Sequence, residues 1–242
     1  MLLEARNVSK AFGSFRAVAG ADLTVEAGEI VGLIGPNGAG KSTFFNCLAG
    51  ETPVTTGKIL FDGHELTHAS PEAHARAGIG RTFQVPATFE DMSVLDNVMV
   101  GAFLRHPHRN DARAHALEIL DLTDLKAQAA NRARSLGTPG RKRLEIARVL
   151  ATTPRLMLLD ESLAGLTPTE LREAITLMRR IHETGVTMVI VEHIMEVIMT
   201  LTKRVLVFNQ GHVIASGKAE DVVKDEAVIE AYLGRAHGKH RA

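Results

Sequence analysis

Hydrophobic and polar positions along the chain sort into short apolar runs separated by stretches with helical spacing. Residues 2–8 and 21–25 alternate with the period of strands and are divided by the turn-rich Phe12-Gly13-Ser14-Phe15. Residues 29–35 (EIVGLIG) read as a short buried strand, and residues 42–50 (STFFNCLAG) as the helix after it. Residues 58–61 alternate again and meet Asp62-Gly63, a hairpin turn signal. Residues 80–84 read as a buried strand that ends at Gln84. Residues 85–104 mix apolar residues with turn formers, whereas 111–122 and 144–150 carry helical spacing. Three more apolar strands follow. Residues 155–161 end in Asp160-Glu161, residues 186–191 run into Glu192-His193, and residues 204–208 lead to a hairpin at Asn209-Gln210-Gly211. Between the first two, Thr167-Pro168-Thr169-Glu170 has the spacing of a capping box, which opens a helix that stops at Gly185. This alternation predicts an α/β fold with a largely parallel, doubly wound sheet and a ligand site at the strand C-termini.

Composition narrows the picture. The 242 residues are 45% hydrophobic and 23% charged, the balance of a globular chain with a proper core. Lys+Arg and Asp+Glu both total 28, so no overall basic field recruits nucleic acid or an anionic membrane surface. The basic residues between Arg132 and Arg155 lack interleaved aromatics and read as a solvated helix face. The single cysteine, Cys47, cannot form an internal disulfide and is expected as a small buried residue. The N-terminus carries an early acid and no long apolar region, unlike a secretory signal, and no apolar run approaches the length of a membrane span. Any membrane role is therefore expected to come through a partner.

The densest chemical signal is GPNGAGKST, residues 35–43, which satisfies the phosphate-loop pattern G-x-x-x-x-G-K-[ST]. Gly35, Gly38 and Gly40 let backbone N–H groups turn inward together around a phosphate chain, with Pro36, Asn37 and Ala39 completing the turn. Lys41 supplies a point charge to the β- and γ-phosphates, the Ser42 hydroxyl is a candidate Mg²⁺ ligand, and Thr43 closes the motif. The helix that follows aims its positive end at the phosphates. A second motif is a decoy. His64-Glu65-Leu66-Thr67-His68 spells the H-E-x-x-H of zinc proteases, but it starts next to a turn glycine, and Pro71 opens a new helix three residues after His68. No room is left for both histidines on one helix face.

In a parallel sheet, Gly35, Gln84, Asp160-Glu161 and His193 all lie at strand ends and can converge on one Mg²⁺-nucleotide. Asp160 is placed to hold Mg²⁺, Glu161 to act as general base on an attacking water, Gln84 to reach the metal or that water, and His193 to bond the γ-phosphate. Phe12 is left between two readings by pattern alone, stacking on a base or an ordinary core place.

Taken together, GPNGAGKST, RTFQ, LMLLDE, AGL and VEH resemble the ATP-binding subunits of ABC transporters over nearly the whole chain. GIGRTFQ, SVLDNVMVGAF, LEIAR and the ending VIASGKAEDVVKDEAVIEAYLG resemble most the LivG-like class of branched-chain amino acid importers. The resemblance implies an ABC ATPase architecture: a P-loop core with an N-terminal antiparallel β part, at about residues 1–84 and 155–236, and an inserted helical subdomain at about 85–154. Residues 237–242 read as a frayed tail. It also implies ATP and Mg²⁺ as ligands, Phe12 as the adenine-stacking residue, and a place on the cytoplasmic face of the inner membrane. The implied partners are a second ATP-binding subunit, multi-spanning permease subunits and, indirectly, a solute-binding protein. Near Gln84 the family receives a membrane-subunit helix, for which Phe89 and Met92 are candidate contacts, core packing being the other reading of both.

Two departures stand out. The family's LSGGQ motif falls on Leu136-Gly137-Thr138-Pro139-Gly140, three residues ahead of LEIAR, so that its serine is replaced by Gly137, one glycine by Pro139 and its glutamine by Gly140; a slipped alignment could use Ser135 but would need an insertion. Gly137, Thr138 and Gly140 remain the expected contacts to nucleotide held by the other subunit, with Thr138 positioned to replace the lost hydroxyl. The second is Thr167, where the family usually carries Asp or Asn; it still caps a helix but brings no charge to a dimer interface. Two rivals stay open: a soluble ABC protein with no permease, and a nucleotide-binding regulator with little turnover.

Overall fold

The computed structural model describes residues 1–83 and 87–233. Packing separates the chain into two compact units, Met1–Ala73 with Met188–Ala242, and His74–Thr187.

The first unit opens with β1 (Leu3–Phe12) and β2 (Phe15–Val25), followed by β3 (Ile30–Ile34), α1 (Lys41–Leu48), β4 (Thr56–Phe61) and β5 (His64–Glu65). β1 and β2 are longer than residue alternation suggests, because register shifts along β1 break the period-two pattern without ending the pairing. β2, β1, β4 and β5 form an antiparallel sheet in that order. The turn between β4 and β5 falls on Asp62 (φ 51°) and Gly63 (φ 78°), the paired positive φ values that a tight hairpin needs.

In the second unit, α2 (Pro71–Ala77) leads to β6 (Ile79–Arg81), then α3 (Val94–Ala102), α4 (Arg109–Leu122), α5 (Thr138–Leu150), β7 (Leu156–Asp160) and α6 (Pro168–Glu183). β6 and β7 pair in parallel. α3, α4 and α5 enclose their own core, with Val94, Val98, Ala112, Ala116, Leu120 and Leu144 fully buried. These are the i, i+4 positions of one helix face, each larger side chain contributing about 1.5–3 kcal/mol of burial. α6 begins with the expected capping box: the Thr167 N–H donates to Glu170 Oε2 at 2.8 Å, and the Glu170 N–H to Thr167 Oγ1 at 3.4 Å.

The chain then returns to the first unit with β8 (Thr187–Val191), α7 (Met195–Leu201), β9 (Arg204–Asn209), β10 (His212–Gly217), α8 (Ala219–Val222) and α9 (Glu226–Leu233). Here the strands run in the order β10-β9-β3-β8; β9, β3 and β8 are mutually parallel and β10 is antiparallel at the edge. β3 and β8 are buried along their whole length, as a strand covered on both faces must be.

Besides the longer β1 and β2, three elements differ from the sequence expectation. β6 ends at Arg81 rather than running to residue 84, so Thr82 and Phe83 already lie outside the strand. α3 occupies a stretch that reads as mixed, and α5 begins at Thr138 rather than Leu144. A proline is tolerated in the first turn of a helix, where N–H groups have no intrahelical partner, so Pro139 opens α5 rather than blocking it. α3 is disguised by Asn97, a fully buried polar residue. Asn97 Oδ1 accepts from the Phe89 N–H at 2.8 Å, and Nδ2 donates to the carbonyls of Phe89 and Ser93, both at 2.9 Å. The side chain thus stands in for a backbone partner of the segment ahead of α3. Asn97→Ala should strand those groups and cost about 2–4 kcal/mol, read as a lowered urea midpoint.

Candidate nucleotide site

The phosphate loop is built where β3 hands over to α1. Gly35 (φ 146°) and Gly40 (φ 103°) both occupy backbone conformations that side chains rarely adopt. A Cβ at Gly35 would lie 2.2 Å from the Phe208 carbonyl oxygen, and one at Gly40 would lie 2.3 Å from that of Ala17. Gly38 (φ 77°) faces open space. The loop is therefore pressed between β9 and β2 at its two ends and open at its centre. Lys41 is buried, and its ammonium donates to the carbonyls of Gly35 (2.6 Å) and Pro36 (2.9 Å). Ser42 and Asn37 are exposed, Pro36 and Thr43 half-buried, and Ala39 buried. Gly40 caps α1 without a side chain, leaving the first-turn N–H groups no side-chain cap from that position.

Residue spacing did not reveal the brace behind this loop. The Gly211 N–H donates to the Ala39 carbonyl at 2.8 Å, while the Gly211 carbonyl accepts from the Ala19 N–H at 2.8 Å. The hairpin glycine between β9 and β10 thus ties the loop to β2. Tyr232, on α9, is a second unforeseen neighbour. Burial pushes its phenol up, and a hydrogen bond with the Gly35 backbone pulls the other way.

His193 follows β8 and is exposed. It lines a cavity of about 520 Å³ together with Ile34, Met195, Met199, Ile229 and Tyr232. The cavity brings the histidine beside the end of the strand that feeds the phosphate loop. Phe12 stands at the end of β1 opposite Phe15, with the Lys10 ammonium 4.9 Å from its ring centroid. Its ring is 53% exposed, so the core reading does not hold, and a face is available for stacking. Cys47 is buried in α1, and desolvation pushes its thiol up to about 11, a group unsuited to nucleophilic work.

In the second unit, Asp160 and Glu161 close β7. The Arg81 guanidinium donates to Asp160 Oδ2 at 3.0 Å, both side chains being largely buried. The Asp160 N–H donates to Thr82 Oγ1 at 3.2 Å, and the Thr82 and Ser162 hydroxyls share a hydrogen bond of 2.6 Å. Lys142 of α5 donates to the Ser162 carbonyl at 3.0 Å. Residues on both sides of Glu161 are thereby fixed. Glu161 itself sits half-buried at φ 45°, a left-handed conformation that costs a non-glycine residue about 1–2 kcal/mol. The strain is held by its clamped neighbours.

Gly137 forms the N-cap of α5, and Thr138, Pro139 and Gly140 are its first turn, with Gly137 and Thr138 exposed. The motif is the beginning of the helix itself rather than a loop ahead of it. Two turns further on, Glu145 is buried and accepts from the Phe83 N–H at 2.8 Å. Burial raises its pKa, opposed by backbone hydrogen bonds from Phe83 and Ala87 and by the charges of Lys142 and Arg148. Gln84, expected beside the metal, lies outside the described residues. His64 and Glu65 form β5 and His68 lies beyond it, so the H-E-x-x-H stretch has no shared helix face.

Each unit by itself brings oxygen donors of the kind Mg²⁺ takes. Asp160 supplies a carboxylate and Ser42 a hydroxyl at a helix start, the hard oxygen ligands such an ion takes.

Comparison with known proteins agrees with this architecture. Residues 18–164 match the family model for ABC transporter, and residues 212–238 match that for branched-chain amino acid ATP-binding cassette transporter. The chain is 38% identical to the high-affinity branched-chain amino acid transport ATP-binding protein BraF of Pseudomonas aeruginosa, across 97% of this chain and 98% of that one. It is 35% identical to the lipopolysaccharide export system ATP-binding protein LptB of Escherichia coli, across 96% and 97%. Among solved structures, a nucleotide-free ATP-binding cassette from an ABC transporter aligns with a TM-score of 0.89 at 29% identity, covering 96% of this chain and 99% of that one.

Proposed function

The chain belongs to the ATP-binding subunits of ABC transporters, and from that premise we propose that it powers uptake of branched-chain amino acids through partner permease subunits. What carries the solute class is the match of residues 212–238, the segment of β10, α8 and α9, to the branched-chain amino acid cassette model. Likeness to LptB spans the same chain and keeps an export role as the second reading.

ATP enters with its phosphates in the loop of residues 35–43. Lys41 exchanges the carbonyls of Gly35 and Pro36 for phosphate oxygens, and Phe12 stacks on the base. Ser42, Asp160 and Gln84 are the residues that would hold Mg²⁺, which when bound screens the triphosphate charge. Glu161 accepts a proton from the attacking water, and His193 bonds the γ-phosphate and holds that water in line. Two subunits close on two nucleotides, with Gly137, Thr138 and Gly140 of each covering the ATP of the other. Because ATP contacts both subunits only when they are closed, its binding energy favours closure, and hydrolysis releases it. The helical subdomain at about residues 85–154 is supported by the self-contained core of α3, α4 and α5. Attachment to the inner face of the membrane is through the permease; no described helix is long and apolar enough to cross a membrane.

The test is reconstitution in vesicles with permease subunits and a solute receptor of the branched-chain amino acid class. ATP should drive accumulation of leucine, isoleucine or valine, with turnover above that of the isolated chain. Turnover that rises with the permease while none of the three accumulates would remove the solute and leave the ATPase.

A further inference from the structure

Lys10 and Phe12 stand two residues apart at the end of β1, the spacing that puts two side chains on one side of a strand. The Lys10 ammonium lies 4.9 Å from the Phe12 ring centroid, within the reach of a cation–π contact. It also donates to the Pro53 carbonyl at 2.8 Å. Pro53 belongs to the connection from α1 to β4, which grips the same stretch of β1 a second time. The Ala11 N–H donates to Thr55 Oγ1 at 3.0 Å, and the Thr55 N–H to the Ser9 carbonyl at 2.8 Å. The charge of Lys10 is felt by Cys47 in α1, where it draws the thiol down against the larger upward push of burial. Lys10 is therefore fastened at its tip while it covers the ring.

We propose that Lys10 is a positioning residue for the nucleotide base: its ammonium, tethered to Pro53, takes one face of the Phe12 ring and leaves the opposite face presented to the base. The proposal rests on the base-stacking place given to Phe12 above. Phe12 is the last residue of β1, opposite Phe15 across the turn Gly13-Ser14, and both rings are exposed. A ring at a hairpin tip samples several orientations unless a neighbour selects one, and every side chain that a ligand must immobilise lowers its affinity. A cation is drawn to the negative face of an aromatic ring, so a cation fixed in space fixes the plane of the ring. The tether also has a second end. Pro53 follows α1, the helix that carries Lys41 in its first turn, so the base platform and the phosphate grip are tied to one helix of the same unit.

The test is calorimetric titration of the full chain with two probes, ATP and inorganic tripolyphosphate, which lacks a base. Lys10→Ala should weaken ATP by about two- to fivefold, the worth of one exposed cation–π contact, and leave tripolyphosphate unchanged. Lys10→Arg, whose guanidinium also stacks on ring faces, should restore most of the ATP affinity. Phe12→Ala should weaken ATP by about tenfold or more, and adding Lys10→Ala to it should change nothing further. An equal loss for both probes at an unchanged melting temperature would mean that the ammonium meets the phosphates. The same loss with a lowered melting temperature would mean that the Pro53 contact only holds the sheet. Either result overturns the proposal. If Phe12→Ala binds ATP as the unaltered chain does, the stacking reading fails and the role of Lys10 falls with it. If Phe12→Ala weakens ATP and Lys10→Ala does not, stacking stands and Lys10 alone is ruled out.

Discussion

Glu161→Gln should bind ATP as the unaltered chain does and fail to turn it over. The amide keeps the size of the carboxylate and suits the same half-buried, left-handed backbone at φ 45°, so the Thr82–Ser162 and Lys142–Ser162 contacts that fix the turn survive. What is lost is the carboxylate proposed as general base, and general-base loss lowers turnover by about 10²–10⁴-fold. Steady-state phosphate release measured beside fluorescent-nucleotide titration separates the two effects. An unchanged rate would take Glu161 out of the chemistry. A parallel loss of binding would mean that the carboxylate holds the turn rather than the water.

Gly40→Ala should fail at the earlier step. Its Cβ would have to sit 2.3 Å from the Ala17 carbonyl oxygen, on a backbone at φ 103°. Strain and overpacking together cost about 2–5 kcal/mol, and relief of that strain displaces the loop. Nucleotide affinity is then expected to fall by about a hundredfold or more, since loop N–H groups must converge to hold phosphate. Gly38→Ala is the internal control: it has positive φ but open space around the added methyl, so its cost is limited to about 1 kcal/mol. Equal losses at the two positions would show that backbone freedom alone, and not the contact with β2, sets the loop.

These contrasts also explain what could be read in advance. The phosphate loop, the Asp62-Gly63 turn and the Thr167 capping box are legible because each is announced by a few adjacent residues, even where, as in the phosphate loop, distant packing helps hold it. α3 was illegible because Asn97 spends its polarity on the backbone of Phe89 and Ser93, a purpose visible only once the chain has folded. α5 begins six residues before its helical spacing becomes legible, because its first turn holds Pro139 and Gly140, which that position admits. Phe12 was left undecided by pattern, and its exposure removes the core reading. The supporting contacts of the site were harder still. Thr82, Glu145 and Gly211 lie inside stretches that the sequence does mark, but nothing in those patterns shows their supporting contacts; with Lys142, each acts through a hydrogen bond to a residue remote in the chain. Acidic strand ends and glycines announce where chemistry belongs; the side chains that hold them in place do not.

The staple at Gly211 bears on how relatives of this chain can be recombined. Its N–H and carbonyl fasten Ala39 and Ala19, and at φ 82° a Cβ there would lie 3.0 Å from the Ala17 oxygen. A chimera that grafts the C-terminal portion of another cassette onto this N-terminal half therefore imports part of the nucleotide grip with it. Its crossover point is best placed before Arg204, so that the donor's own β9–β10 corner arrives whole, and donors lacking a small residue at that corner are poor choices.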